Sequence, residues 1–458
     1  MKFKYAFFLL ACILSINVVS ARVVLPRIFS NDMVLQRNSD VLLWGWGNVS
    51  EEITIVTSWD GKEYKAKGTT DAKWKVEVTT PEAGGPYTIS FKGWGNEIVL
   101  NNVLIGEVWL ASGQSNMEWS ANSGIVHMDE VDKADYPNIR LFTVDRRTAA
   151  YPQDDLSGSW KICTPESMKH FSAVAYFFAK RLYGELDIPI GVINSSWGAS
   201  SAEVWTPKSV FDINETLKES AKKIEANQWV SNKTSELFNA MISPITSYKI
   251  AGALWYQGES NTANHEIYTE LFTSMITSWR EQWGYSFPFY FVQIAPFNYG
   301  EPEQGVKVRD AQRRTLALKN TGMVVVSDIC TVDDIHPRNK LDVGNRLANI
   351  ALKDHYETLE VEVHSPLFKE LIIEGKKATV IFDHSKGLYA KGKKVTHFEI
   401  AGDKDQFYPA KAIIKNDRVI VSSKEVKEPK KVRFAWNNRA LPNLFNEANL
   451  PASSFISD

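Results

Sequence analysis

Two kinds of hydrophobic patterning divide the chain. From residue 22 to about 102, apolar residues recur at every second position in short runs. Ile53, Ile55 and Thr57 alternate with Thr54, Val56 and Ser58, and Asp60-Gly61 then marks a hairpin turn. Residues 41–47, 73–78 and 87–91 read as further strands. Short strands at this spacing predict a β-sandwich-like N-terminal region over 22–102.

From 103 to 356 the period changes. Buried-type apolar strands at 103–111, 190–194, 249–256, 289–294 and 323–327 alternate with amphipathic stretches. Phe171, Val174, Phe178 and Leu182 form one stripe of a helix over 168–183, closed by Gly184. Ile267, Leu271, Met275 and Trp279 mark a second helix, and 339–356 a third. Strand–helix alternation predicts a three-layer α/β domain with a mostly parallel sheet, whose sites lie beyond the carboxyl ends of the strands. From 357 to 458 the β pattern returns, with strands at 378–382, 397–400, 412–414, 419–421 and 432–436.

The first 21 residues fit none of these units. Lys2 and Lys4 precede an apolar run over 5–16, and Val19-Ser20-Ala21 offers small residues for cleavage. This reads as a signal peptide, with export to the periplasm or beyond and a mature chain starting at Arg22. Leu9-Leu10-Ala11-Cys12 weakly resembles a lipoprotein box, but the short apolar run before it favours an unanchored product. No later stretch is apolar enough to form a membrane helix. The formal charge of −2 leaves no basic excess for a nucleic-acid backbone. Only Cys163 and Cys330 follow the leader, too few for a disulfide framework or a zinc site. No nucleotide loop or metal-ligand spacing is visible, so no cofactor and no metal are expected. The fifteen Trp residues suit aromatic packing or platforms for sugar rings.

Four segments, each just past a predicted central strand, carry chemistry. Gly113-Gln114-Ser115-Asn116 puts a serine at a tight turn, where a nucleophile would stand. Asn194-Ser195-Ser196-Trp197-Gly198-Ala199 offers a glycine N–H that a ligand can approach. Trp255-Tyr256-Gln257-Gly258-Glu259-Ser260-Asn261 offers the Gln257 amide as a donor to an oxyanion. Asp333-Asp334-Ile335-His336-Pro337 supplies a histidine with two carboxylates close enough to curl back onto its ring. Each alone is equally a turn, a cap or a solvated loop. Together, in order on successive strand ends, they form a complete acyl-transfer set.

These segments, in this order, resemble the sialate O-acetylesterases of the SGNH hydrolase superfamily. The likeness extends to Phe29-Ser30-Asn31-Asp32-Met33-Val34-Leu35-Gln36-Arg37, to Gly106-Glu107-Val108-Trp109-Leu110, and to Phe407-Tyr408-Pro409-Ala410 and Leu450-Pro451-Ala452-Ser453. The resemblance implies an SGNH-type catalytic domain over 103–356, with Ser115 as nucleophile and His336 as base. The implied oxyanion hole is Ser115, Gly198 and Gln257, although Gly198-Ala199 stands where many members carry two glycines. Superfamily spacing points to Asp333 as the triad acid, while the Asp-Ile-His-Pro pattern points to Asp334, which is preferred here. The implied substrate is an O-acetylated carbohydrate, first of all a sialic acid. Acetylated xylan and a catalytically dead sugar-binding protein are the alternatives, the latter disfavoured by retention of Ser115 and His336. A sialic acid carboxylate would want an arginine. Arg309, Arg313 and Arg338 lie near the loops, and the sequence selects none of them.

Overall fold

The computed structural model describes residues 22–225 and 227–457; the leader predicted over 1–21 lies outside the described residues. Apart from Val34–Gln36, which runs parallel to Leu104–Gly106, the N-terminal region is antiparallel. β1 (Asp40–Trp46) pairs with β3 (Lys73–Thr79), and β2 (Glu52–Thr57) pairs with both Glu63–Lys67 and β4 (Gly84–Lys92). The predicted hairpin forms, with Gly61 at φ +65° in its turn.

β5 (Glu97–Gly113) joins this region to the next. Its first residues alternate between exposed and buried and pair antiparallel with β4, while Val103 to Gly113 are all buried. The changeover falls at Asn102, which takes a left-handed φ of +56°. A half-solvated antiparallel strand needs alternation, and a strand covered on both faces needs a continuous apolar run. One strand carries both patterns, so the 102/103 boundary read from the sequence lies inside it. Beyond Asn102, β5 is the hub of the central sheet. β8 (Gly252–Tyr256), β9 (Phe289–Val292) and β10 (Thr321–Val324) lie parallel on one side of it. On the other side β7 (Ile190–Ser196) and β6 (Tyr136–Val144) are parallel, followed by the antiparallel Gly158–Cys163.

Helices α1 (Ala173–Leu186), α2 (Tyr268–Trp283), α3 (Gln304–Thr315) and α4 (Lys340–Asp354) cover the sheet. The helix expected over 168–183 is split in two, because Ser172 accepts the N–H of Ala175 and starts α1 afresh. Strand Tyr136–Val144 and helix α3 had no sequence counterpart, since Pro137, Asn138 and Arg140 interrupt the apolar run of the strand and the buried face of α3 carries Arg309, Asp310 and Gln312.

The N-terminal motif earns its place through Glu107, which is buried. Its carboxylate accepts Gln36 Nε2 at 2.9 Å, Arg37 Nε at 2.6 Å and the Tyr356 hydroxyl at 2.9 Å. Fully paired in this way, a buried charge is tolerated and locks the opening segment to the central strand. Trp255 packs against Trp205, Phe272 and Trp279 beneath the strand ends. Most tryptophans therefore serve packing, while Trp94 and Trp229 are exposed. The C-terminal region forms antiparallel sheets, one ordered Leu367–Glu374, Lys377–Asp383, Arg418–Ser422, Lys411–Lys415. Cys163 and Cys330 are free thiols, and burial pushes them up to about 12 and about 11.

Candidate active site

The parallel strands end on one edge, and backbone hydrogen bonds stitch three of the four segments together there. Gly113 takes φ +137°, and a Cβ on it would lie 2.3 Å from the Tyr256 carbonyl oxygen, so only glycine lets the nucleophile turn pass the neighbouring strand. Gln114 N–H donates to that same carbonyl at 3.0 Å, and Trp197 N–H donates to the Gly113 carbonyl at 3.0 Å. The Gln114 side-chain oxygen accepts the N–H groups of Gly258 and Ser260. The turn ends with Ser115 Oγ facing a cleft of about 400 Å³, lined among others by Arg146, Trp197, Gly198, Trp229 and His336.

His336 arrives from the loop before α4. Its Nε2 lies 2.8 Å from Ser115 Oγ, and its ring stacks on Trp119 with centroids 4.4 Å apart. Burial lowers its pKa, the positive charge of Lys340 acts in the same direction, and Asp334 opposes them. Neither predicted acid bonds the ring. Asp334 accepts the His336 backbone N–H at 2.9 Å and Arg338 Nε at 3.3 Å. Asp333 is exposed and faces Arg439 at 3.2 Å. Asp334 therefore reaches the imidazole by charge and by holding its backbone.

The two expected donors beyond Ser115 are both engaged. Gly198, which lines the cleft, donates its N–H to Glu118 Oε2 at 2.8 Å. Ala199 sits at φ +61°, which explains why glycine suits this position, since alanine there costs roughly 1–2 kcal/mol. Gln257 is completely buried. Its amide nitrogen donates to Ser200 O at 3.2 Å and Asn261 Oδ1 at 2.7 Å, and its oxygen accepts the Tyr268 hydroxyl. Both amide hydrogens are used, so this side chain braces the Gly198 loop from below and does not line the cleft.

Several residues at the site had no role in the sequence reading. Asn116, next to Ser115, donates to Glu259 Oε1 at 2.6 Å and to the Ile335 carbonyl at 3.0 Å, and it accepts Lys340 Nζ at 2.7 Å. It ties the nucleophile turn to the histidine loop. Lys340 is wholly buried, and burial brings it down to about 7 although Glu259 and Asp334 favour its charge. Burial likewise raises Glu259. The signal for Asn116 and Glu259 lay in the motifs themselves. Lys340 looked like any helix-start lysine. None of the three candidate arginines lines the cleft. Arg309 is buried against Ser454 and the carbonyls of Asn437 and Asn438, Arg313 pairs with Asp310, and Arg338 pairs with Asp334. Arg146, in none of the motifs, is the arginine on the cleft. Among the described residues no group of acidic, histidine or cysteine side chains could hold a metal ion.

Residues 105–353 match the model of a family described as carbohydrate esterase, sialic acid-specific acetylesterase. The chain belongs to the sialic acid-specific acetylesterase family. Membership makes it a carboxylic ester hydrolase of the carbohydrate-esterase class. Among relatives, the sialate O-acetylesterase of Mus musculus is 29% identical over 440 residues, covering 81% of this chain and 80% of the relative. The sialate O-acetylesterase of Homo sapiens is 29% identical over 412 residues, with 81% and 78% covered. A solved carbohydrate acetylesterase from Xanthomonas citri superposes with TM-score 0.87 at 36% identity, covering 95% of this chain and 100% of that one. The Ser115–His336 pair, Gly198 and Gln257 all fall inside the span matched by the acetylesterase family.

Proposed function

We propose that this protein is an exported serine esterase that removes O-acetyl groups from sialic acids. The observation that carries the reading is the 2.8 Å contact between His336 Nε2 and Ser115 Oγ in an open cleft. His336 takes the hydroxyl proton as Oγ attacks the acetyl carbonyl carbon. The negative charge gathers on the acyl oxygen, facing the backbone N–H groups of Ser115 and Gly198. The intermediate collapses, the sugar oxygen leaves with the proton held by His336, and acetyl-Ser115 remains. Water, deprotonated by the same histidine, attacks the acetyl-enzyme, and acetate leaves.

Gln257 acts in this scheme as a positioning residue, because its amide holds the Ser200 carbonyl two residues past Gly198. The catalytic unit works as a Ser–His dyad, with Asp334 fixing the histidine loop from the backbone side. The substrate reading is supported by the family description and by the sialate O-acetylesterases among the relatives. A second reading, esterase action on another acetylated carbohydrate such as xylan, is supported by the 36% identity to a solved carbohydrate acetylesterase from Xanthomonas citri.

The test is acetate release from O-acetylated sialic acids, acetylated xylan and nitrophenyl acetate. The sialic acid substrates are expected to give the highest kcat/KM. Preference for xylan would replace the first reading by the second, and no hydrolysis of any of them would refute both.

A further inference from the structure

Glu118 stands three residues after Ser115, and its carboxylate bridges two donors of the cleft. Oε2 accepts the Gly198 N–H at 2.8 Å. Oε1 accepts Arg146 Nε at 2.6 Å, and Arg146 Nη2 closes on the same oxygen. The guanidinium also lies over the Trp197 ring, 5.8 Å from its centroid, with 55% of its side chain exposed. Arg146 is therefore an oriented fork on the cleft wall, of the geometry that binds carboxylates bidentately.

An O-acetylated sialic acid brings two negative charges to this cleft. One is its permanent ring carboxylate. The other is the oxyanion that develops on the acetyl group during attack on Ser115. A fixed carboxylate on the Gly198 N–H would deny the oxyanion its donor and repel it as well.

We infer that Glu118 holds the places of the two substrate charges and yields both on binding. This rests on the roles proposed above for Ser115 and Gly198. The substrate carboxylate takes over Arg146. Glu118 then loses its ion-pair partner and swings outward, a movement open to it because 23% of its side chain already faces solvent. The same movement frees the Gly198 N–H for the acyl oxygen. Recognition of the anion and assembly of the oxyanion hole become one event. The favoured substrates are acetyl esters of sugars that carry a carboxylate, and neutral esters meet an occupied hole.

The test compares O-acetylated N-acetylneuraminic acid with the methyl ester of its carboxyl group, the same sugar without the charge. Wild-type enzyme should favour the free acid by roughly 10–100-fold in kcat/KM, the range of a charge-assisted hydrogen-bond pair. Arg146→Met should bring that ratio close to one. Glu118→Ala should raise kcat on the methyl ester, and the remaining preference for the acid should move into KM. Glu118→Gln, which keeps the shape without the charge, should change the methyl-ester rate in the same direction; thermal melting of each variant is read alongside, and Glu118→Gln carries the test if the alanine variant unfolds. An acid-to-ester ratio that survives Arg146→Met overturns the inference. So does a Glu118 variant that slows acid and ester alike, which would make Glu118 a support for Gly198. Equal hydrolysis of acid and ester by the wild type overturns it and leaves the sialic acid reading standing. No acetate from either form, with nitrophenyl acetate still hydrolysed, overturns both.

Discussion

Asp334 accepts the backbone N–H of His336 at 2.9 Å, two residues along the same loop, and its carboxylate makes no hydrogen bond to the imidazole. The acid that sequence spacing sets beside the base is thus spent on holding the loop. Its influence on the ring is electrostatic, favouring the protonated form. Loss of a ring-bonded triad acid costs about 10⁴-fold in rate, because the tautomer is lost with it. Here Asp334→Asn should cost only about 10-fold, through a looser loop and a less stabilised imidazolium. Asp333→Asn should stay within about two-fold, as befits an exposed charge. The comparison is kcat/KM on nitrophenyl acetate for both variants beside His336→Ala. A loss in Asp334→Asn as deep as that of His336→Ala would mean that the carboxylate turns onto the ring during catalysis.

Ser115→Ala should lower acetyl-ester hydrolysis by at least about 10⁴-fold. Stability should change by no more than about 0.5 kcal/mol, since the hydroxyl faces the cleft and carries no packing. Acetate release and a urea midpoint measure the two. Retained hydrolysis would remove Ser115 from the reaction.

Gln257→Ala separates a positioning role from a direct one. A side chain that donates only to the oxyanion lowers kcat by roughly 10²–10³ and leaves stability alone. Gln257 is instead the hub of a buried network, and its removal takes the side-chain donor from Ser200 O, while Asn261 Oδ1 keeps the Ala202 N–H and the Tyr268 hydroxyl keeps the residue 257 carbonyl. An unsatisfied buried acceptor costs about 1–3 kcal/mol, so the variant should be less stable and its activity should fall with the displaced Gly198 loop. A thermal melt beside kcat decides. Unchanged stability with a pure kcat loss would restore Gln257 as an oxyanion donor.

The pH dependence follows from His336 and Lys340. The histidine works as a base when neutral, so kcat/KM rises as pH climbs through its pKa. Burial and the charge of Lys340 lower that pKa. Lys340→Met removes the charge, so imidazolium is less disfavoured and the acid limb should move to higher pH. Asn116 Oδ1 loses its donor in this variant, at about 1–3 kcal/mol of stability. The position of the limb on nitrophenyl acetate is therefore the readout, and its height is not. An unmoved limb would show that Lys340 does not act on His336.

The strands and helices of the central region were legible in the sequence wherever apolar residues form a continuous run, as in Ile190–Ser196, or keep a helical period, as in Tyr268–Trp283. So were the four loops of the site, because a nucleophile turn, a glycine and an Asp–His loop each need particular residue types at adjacent positions. The change of pattern at 102/103 was legible too, but not the continuity of Glu97–Gly113 through it, since the backbone turns at Asn102 without ending the strand. Nor was the fate of the polar groups. Gln257, Asp334 and Gly198 each carry a donor or acceptor that suits catalysis. Which partner each one meets depends on Asn261, His336 N–H and Glu118, brought within hydrogen-bond distance by packing. Arg146 illustrates the same limit, for it lies 31 positions after Ser115 in no motif and reaches the cleft only through the fold. Periodicity and local turn chemistry act over a few residues and are written in the chain. Hydrogen-bond partnership and burial of charge are long-range, and only the assembled sheet and its loops decide them.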